Sequence, residues 1–400
     1  MKISVQRVLA QVFGAPVLLG ALWVSTVSHA QQNVGVTPTE IKLGQTMPLS
    51  GPVSAWGMFG KAHAAYFEMI NAQGGINGRR VRLLTLDDSY APPKTVEQTR
   101  KLVEQDKVLA IFGSVGTAHA AATKGYLLDG EVPALFLGIG ANIWGPPEAF
   151  RLSTMWAPDH RTESRTYAQY VLKTRPGAKI AILSQNDDFG RNLVAGLKQA
   201  LGDKQSMIVR EATFETSDPT VDSQILALRA SGADVLFNFA SPRAATQAIR
   251  KTFDIGWKPL HFVFSFSTSI DNVLKPAGME RATGIMSATY LKDPANSSWK
   301  DDAGMTSYLA WLKQYLPAAN AADPLVLQGY SAAELMTHVI RQTGADLNRT
   351  SLVRSAKSVK DLQLSMLLPG IKVNTTPQDP SGIHELRLQR FDGSQWVLAE

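Results

Sequence analysis

Seven histidines and no cysteine stand in 400 residues, so the chemistry open to this chain is mostly that of hydroxyls, amides, carboxylates and aromatic faces. The lack of thiols removes disulfide scaffolds, thiolate metal sites, cysteine nucleophiles and lipid attachment through an N-terminal cysteine. No two histidines have the close spacing of a zinc-binding helix. The exit of the first strand reads Met47-Pro48-Leu49-Ser50-Gly51-Pro52 rather than Gly-x-Gly-x-x-Gly, and no Gly-x-Ser-x-Gly elbow occurs. An enzyme and a bound cofactor are therefore not expected. His63 on a predicted helix and His160 at a predicted helix start have ordinary surface or capping roles open to them. His119, two residues after Thr117, could instead bring a switchable positive charge to a cleft.

The remaining candidates lie in short loops rich in glycine and hydroxyls. They include Gly113-Ser114-Val115-Gly116-Thr117, Gly138-Ile139-Gly140-Ala141, Asn186-Asp187-Asp188-Phe189-Gly190, Ala240-Ser241-Pro242 and Ser265-Phe266-Ser267-Thr268. Each leaves a predicted strand, and in doubly wound sheets ligands bind beyond the carboxyl ends of the strands. Two blocks of about 120 residues supply the rhythm, short β-branched runs alternating with stretches of helical period. In the first block strands are expected at 41–45, 81–86, 108–112 and 132–137. In the second they are expected at 179–184, 207–214, 234–239 and 261–266, with helices at 159–172, 191–201, 220–230 and 243–253 among them. A break falls near Arg151. The tail gives a run at 285–290, two helices, and the pattern of an antiparallel hairpin turning at Asp392-Gly393.

Composition bounds the class. With 44% apolar and 18% charged residues, this is an ordinary globular chain of about two domains. The formal +6 is scattered along the chain, and nucleic acid is not expected as a partner. The first thirty residues read as an export signal, with Lys2 and Arg7 before an apolar stretch and Ser28-His29-Ala30 at the end. Cleavage after Ala30 and a periplasmic location are expected. A membrane anchor is the other reading of this stretch, but Gln11, Gly14, Pro16 and Gly20 interrupt it.

Several ordered stretches together resemble one family. They are Leu49-Ser50-Gly51-Pro52 through Gly57, Ile70-Asn71-Ala72-Gln73-Gly74-Gly75-Ile76-Asn77-Gly78-Arg79, Leu86-Asp87-Asp88, Asn186-Asp187-Asp188-Phe189-Gly190 and Ser231-Gly232-Ala233-Asp234. Over nearly all of the expected mature chain they look like the substrate-binding proteins of branched-chain amino-acid-type ABC importers, the group that includes the leucine-binding proteins. The resemblance implies an α/β fold of two Rossmann-like lobes joined by three crossovers, the type I periplasmic binding protein fold. It puts residues 34–153 plus 287–383 in lobe one and 154–286 plus 384–400 in lobe two, after a signal peptide at 1–30. A monomer that delivers a small molecule to a membrane permease follows from it; a ligand-sensing lobe of a signalling system, or an amino-acid or amide receptor, are the alternatives.

The likeness also assigns a site. Thr117 matches a hydroxyl that contacts the ligand carboxylate, and a threonine there is also an ordinary helix cap. Gly138, Ile139, Gly140 and Ala141 match a segment that presents backbone groups; the glycines serve either close approach to the ligand or a turn with positive φ. Trp56 and Phe189 match aromatic walls from opposite lobes, with core packing as the plainer role. Ser241 is either a cap or a ligand contact. Amino-acid binders of this family place an acid near Phe266 and Ser267. Its absence here disfavours a free ammonium group, which would lose several kcal/mol on burial without a partner. An aromatic or short aliphatic carboxylate is the expected ligand, with Phe266 beside its body. Two further stretches, 132–146 and 218–223, resemble the branch associated with uptake of aromatic compounds.

Overall fold

The computed structural model describes residues 34–140 and 147–399. The expected export signal and cleavage site, Ala141 and the segment through Trp144-Gly145-Pro146 lie outside these residues.

In the first part of the chain β1 (Glu40–Met47), β2 (Arg80–Asp87), β3 (Ala110–Phe112), β4 (Ala134–Leu137) and β5 (Ser153–Met155) form a sheet ordered β2-β1-β3-β4-β5, with every pairing parallel. Parallel neighbours need crossover connections, which α1 (Gly57–Ala72), α2 (Pro92–Arg100) and α3 (Thr117–Asp129) provide. The three-residue strand β5 extends this sheet where the sequence reading placed only a break. Later in the chain β6 (Ile180–Gln185), β7 (Ile208–Phe214), β8 (Val235–Phe239), β9 (Leu260–Val263), β10 (Met286–Thr289), β11 (Arg387–Phe391) and β12 (Trp396–Leu398) form a second sheet ordered β12-β11-β10-β9-β8-β6-β7. Its crossovers include α5 (Asp188–Leu201), α6 (Asp222–Ala230) and α7 (Pro242–Asp254), preceded by α4 (His160–Thr174). The terminal hairpin forms as expected, and β11 pairs antiparallel with β10.

Strand membership takes the chain from the first sheet to the second after Met155, and the segment between β10 and β11 packs back on α1 before returning, which makes two further crossings, after Thr289 and before Arg387. The returning segment packs helix Pro324–Thr343 on α1 so closely that a Cβ at Gly329 would stand 2.5 Å from the Phe59 carbonyl oxygen. Between the sheets, the Met155 amide donates to the Pro380 carbonyl at 2.9 Å. These are two Rossmann-like lobes joined by three crossovers.

Two element ends depart from expectation for visible reasons. Helix α5 starts at Asp188, three residues early, because the Asp187 carboxylate caps it by accepting from the Gly190 amide at 3.1 Å. Strand β9 ends at Val263 rather than Phe266 because the Ser265 amide donates to the Glu163 carboxylate at 2.9 Å, leaving the ladder. His63 is buried on α1, not at the surface. Its Nδ1 lies 2.8 Å from Gln45 Oε1, and burial lowers its pKa to about 3.

Candidate functional site

Three helix N-termini converge where the two sheets face each other. Thr117 opens α3, His160 opens α4 and Phe189 lies in the first turn of α5. All three line one cavity of about 290 Å3, together with Trp56, Tyr90, Val115, Gly116, Gly138, Ile139, Gly140, Ala157, Phe264 and Phe266. The ends of α4 and α5 are capped by Asp159 and Asp187. No side chain caps α3, whose cap position is Gly116 at φ 111°. A Cβ at Gly116 would stand 2.3 Å from the His119 ring, so this turn needs glycine for both its φ and its space.

Carboxylates already sit on the ends of α4 and α5, so the positive potential that favours an anion is that of the uncapped α3 end. The lining among the described residues contains no Asp, Glu, Lys or Arg to oppose or reinforce it. His160 does not add charge. Burial lowers its pKa to about 3, so its ring is neutral at ordinary pH. Several buried polar atoms around the cavity lack a hydrogen-bond partner: Trp56 Nε1, Tyr90 Oη and His160 Nδ1. Buried polar groups are normally satisfied, so such a cluster marks a place where a ligand can supply the missing bonds.

Aromatic rings form the rest of the walls. Phe264 and Phe266 stack at 5.6 Å with 14° between planes, Phe189 meets Phe264 edge to face at 4.7 Å, and His160 lies edge-on to both Phe189 and Phe264. Trp56 touches Tyr90 at 5.4 Å. The loop bearing Trp56 is tied down by Asp87, whose carboxylate accepts from the Leu49 and Ser50 amides, the Ser50 hydroxyl and the Ser89 amide. Burial works to raise the Asp87 pKa, but bonds from Ser50, Ser89 and Leu49 outweigh it and hold the carboxyl well below its ordinary range. Ser89 and Tyr90 both adopt left-handed φ, 51° and 57°, a costly conformation for non-glycine residues that presents the Tyr90 ring to the cavity.

Of the residues singled out from sequence, Trp56, Thr117, Gly138, Ile139, Gly140, Phe189 and Phe266 come together in this cavity. Ala141 lies outside the described residues. Ser241 is not brought in. It stands at the cap position of α7 without a side-chain cap bond and lines a separate depression with Pro52, Asp218 and Arg243. Gly138 and Gly140 do not adopt positive φ. Space is what requires them: a Cβ at Gly138 would lie 2.9 Å from Phe59 and Val115, and one at Gly140 2.3 Å from the Pro158 carbonyl oxygen. His119 packs against the Tyr90 ring at 4.2 Å without lining the cavity. Burial lowers its pKa although Asp88, the Tyr90 backbone and Asp187 pull the other way.

Tyr90 and Phe264 are lining residues that the sequence reading passed over, and His160, expected in a surface or capping role, is buried behind the Asp159 cap and lines the cavity. The strand-exit rule that found the other loops also points to Tyr90, which follows β2, and to Phe264, the first residue after β9.

Comparison with known proteins agrees with this architecture. A family model described as periplasmic binding protein matches residues 40–395. A Leu/Ile/Val-binding protein homolog 3 of Brucella melitensis is 24% identical over 332 residues, covering 82% of this chain and 86% of its own length. Among solved structures, a branched-chain amino acid ABC transporter protein of Thermus thermophilus with bound valine superposes with a TM-score of 0.80 at 16% identity, covering 91% of this chain and 96% of that one. A fatty acid ABC transporter substrate-binding protein of Thermomonospora curvata gives 0.80 at 20% identity, covering 92% and 93%. A family model matched over most of the chain, on a two-lobed fold with its cavity between the lobes, makes this chain a member of the periplasmic binding protein family.

Proposed function

We propose that this chain is the exported receptor of an ABC importer and binds a small carboxylate, with an aromatic body, between its lobes. The observation that carries this reading is the convergence of three helix N-termini on an aromatic-walled cavity without acidic or basic side chains. A carboxylate gains from the uncapped end of α3 at Gly116 and Thr117, while Trp56, Phe189, Phe264 and Phe266 flank a flat apolar body. The sequence reading sets the lobe boundaries at 153 and 286; because β5 ends at Met155 in the first sheet and β10 at Thr289 in the second, lobe one is taken as 34–155 with the returning segment to about 383, and lobe two as 156–289 with the terminal hairpin. Ligand contacts from both lobes bias the protein toward the closed form, which a permease recognises.

Amino-acid binding is the second reading, favoured by the names of the relatives. It requires a partner for the ammonium group, and none stands in the described lining. Titration calorimetry of the mature protein with benzoate, cinnamate, leucine and valine separates the two. Heat with the aromatic acids alone supports the proposal, whereas micromolar binding of leucine or valine without the acids overturns its account of specificity.

A further inference from the structure

Glu163 is almost wholly buried, 2% exposed, in the first turn of α4. Its carboxylate accepts from the Ser265 amide at 2.9 Å, the Ser265 hydroxyl at 2.8 Å and the Tyr167 hydroxyl at 2.6 Å. Ser265 sits between Phe264 and Phe266, the two stacked rings that wall the cavity. Neither Glu163 nor Tyr167 lines the cavity itself. The turn is held elsewhere too, by the Ser267 hydroxyl donating to the Ala240 carbonyl and by the Trp396 indole donating to the Thr268 carbonyl. The Ser265 carbonyl also accepts from the Thr268 hydroxyl at 2.9 Å within the turn, and the Glu163 bonds tie the residue between the rings to a second element, α4.

We propose that Glu163 is a positioning residue for ligand binding, holding the Phe264–Phe266 wall through Ser265, and that as a buried carboxyl one residue layer behind that wall it governs how well the cavity accepts an anion. The inference rests on the site assigned above.

Its surroundings allow both protonation states. Tyr167 Oη lies 3.1 Å from the Val263 carbonyl and accepts from the Ala288 amide at 3.1 Å. When Glu163 is ionised, the tyrosine donates to it. When Glu163 is protonated, the acid can donate to the tyrosine oxygen while the tyrosine donates to Val263. The groups around it supply no counter-charge. On its own helix stand Tyr167 and the neutral His160, the β9 exit gives Ser265, and β10 and its end give Ser287 and Tyr290; no ion pair among the described residues includes Glu163. Burial accordingly raises its pKa to about 7 against the lowering pull of its three hydrogen bonds. An anion placed beyond the wall repels the ionised form, so its binding draws a proton onto Glu163 and weakens as pH rises. A cationic ligand reverses the trend.

Two measurements on the mature protein test this. In the first, hydrogen exchange of a peptide covering 263–268 is followed without ligand at one fixed pH. Glu163→Ala should raise its exchange at least tenfold while the 387–398 hairpin stays protected, and Glu163→Gln, which keeps an acceptor for the Ser265 amide, should restore protection. Unchanged exchange in Glu163→Ala overturns the positioning role; if that variant does not fold, Ser265→Ala takes its place, with the same two outcomes. In the second, benzoate affinity is measured from pH 5.5 to 8.5. The wild-type affinity should fall several-fold across this range, and Glu163→Gln should flatten the profile. If Trp56→Ala abolishes benzoate binding while Glu163→Gln keeps the wild-type profile, the inference fails and the site stands. If Glu163→Ala loosens the wall but Trp56→Ala leaves benzoate binding unchanged, the positioning role stands and the site assignment fails.

Discussion

The indole of Trp56 meets the ring of Phe189 edge to face, 5.8 Å between centroids and 85° between planes. Trp56 lies on the loop that leaves β1 and Phe189 on the helix that follows β6, so this contact joins one lobe to the other. Trp56 is thus both a wall of the cavity and part of the closed interface.

Trp56→Ala should therefore weaken ligand binding by roughly 2 kcal/mol or more. It should also favour separation of the lobes in the free protein. Calorimetry reads the first effect, and small-angle scattering of the ligand-free protein reads the second as an increased radius of gyration.

Gly140→Ala tests the close approach of the β4 exit to α4. The new methyl group would stand 2.3 Å from the Pro158 carbonyl oxygen and 2.6 Å from the His160 ring. Backbone has little room to yield, so a loss of about 1–3 kcal/mol in urea unfolding is expected, with His160 displaced and affinity reduced. Gly177→Ala, where a Cβ meets nothing within 4 Å, is the control and should leave both unchanged.

Asp87→Ala removes the acceptor that joins Leu49 and Ser50 to Ser89. The group is partly exposed, so the global cost should be small, but the Trp56 loop and the strained Ser89-Tyr90 pair lose their common anchor. An affinity loss of roughly 1 kcal/mol with little change in melting temperature is expected, measured by calorimetry and thermal unfolding.

The pH dependence of stability should carry a mark of Glu163. Its pKa is raised by folding from the ordinary 4.5 to about 7, so the folded state binds the proton more tightly than the unfolded state. The stabilisation from this group is complete below pH 4.5 and disappears as pH rises through 7. Relative to Glu163→Gln, the wild type should lose on the order of 3 kcal/mol across that window. Urea unfolding of both proteins from pH 4.5 to 8.5 measures it, and parallel curves would show that Glu163 does not titrate there. His63, His160 and His261, lowered by burial from 6.5 to about 3, take up protons only on unfolding between those values, so both proteins should gain stability as pH rises from 4.5 to 6.5 and the contribution of Glu163 is read from the difference between them.

The alternation of β-branched runs and helical periods made most strands legible to within a few residues, because buried parallel strands read as nearly continuous apolar runs. Strand β5 escaped because Ser153-Thr154-Met155 is too short and too polar to show a period, and only pairing with β4 defines it. The strand-exit loops were legible for a similar reason, since a doubly wound sheet must place them at one end. The path back between lobes was not. It depends on Met155 meeting residues 380–381, and nothing local in either segment announces the other. Glu163 was hidden in the same way, in an ordinary amphipathic helix about 100 residues before the serine it holds.

The terminal hairpin has a consequence for how the second lobe is assembled. Strand β11 covers the edge of β10 but is synthesised about 100 residues later, and the intervening chain folds onto the other sheet. Until the hairpin arrives, β10 offers a row of unpaired amides and carbonyls to any neighbouring strand. A chain that has not yet reached Arg387 is therefore at its most prone to pair with a second copy of itself.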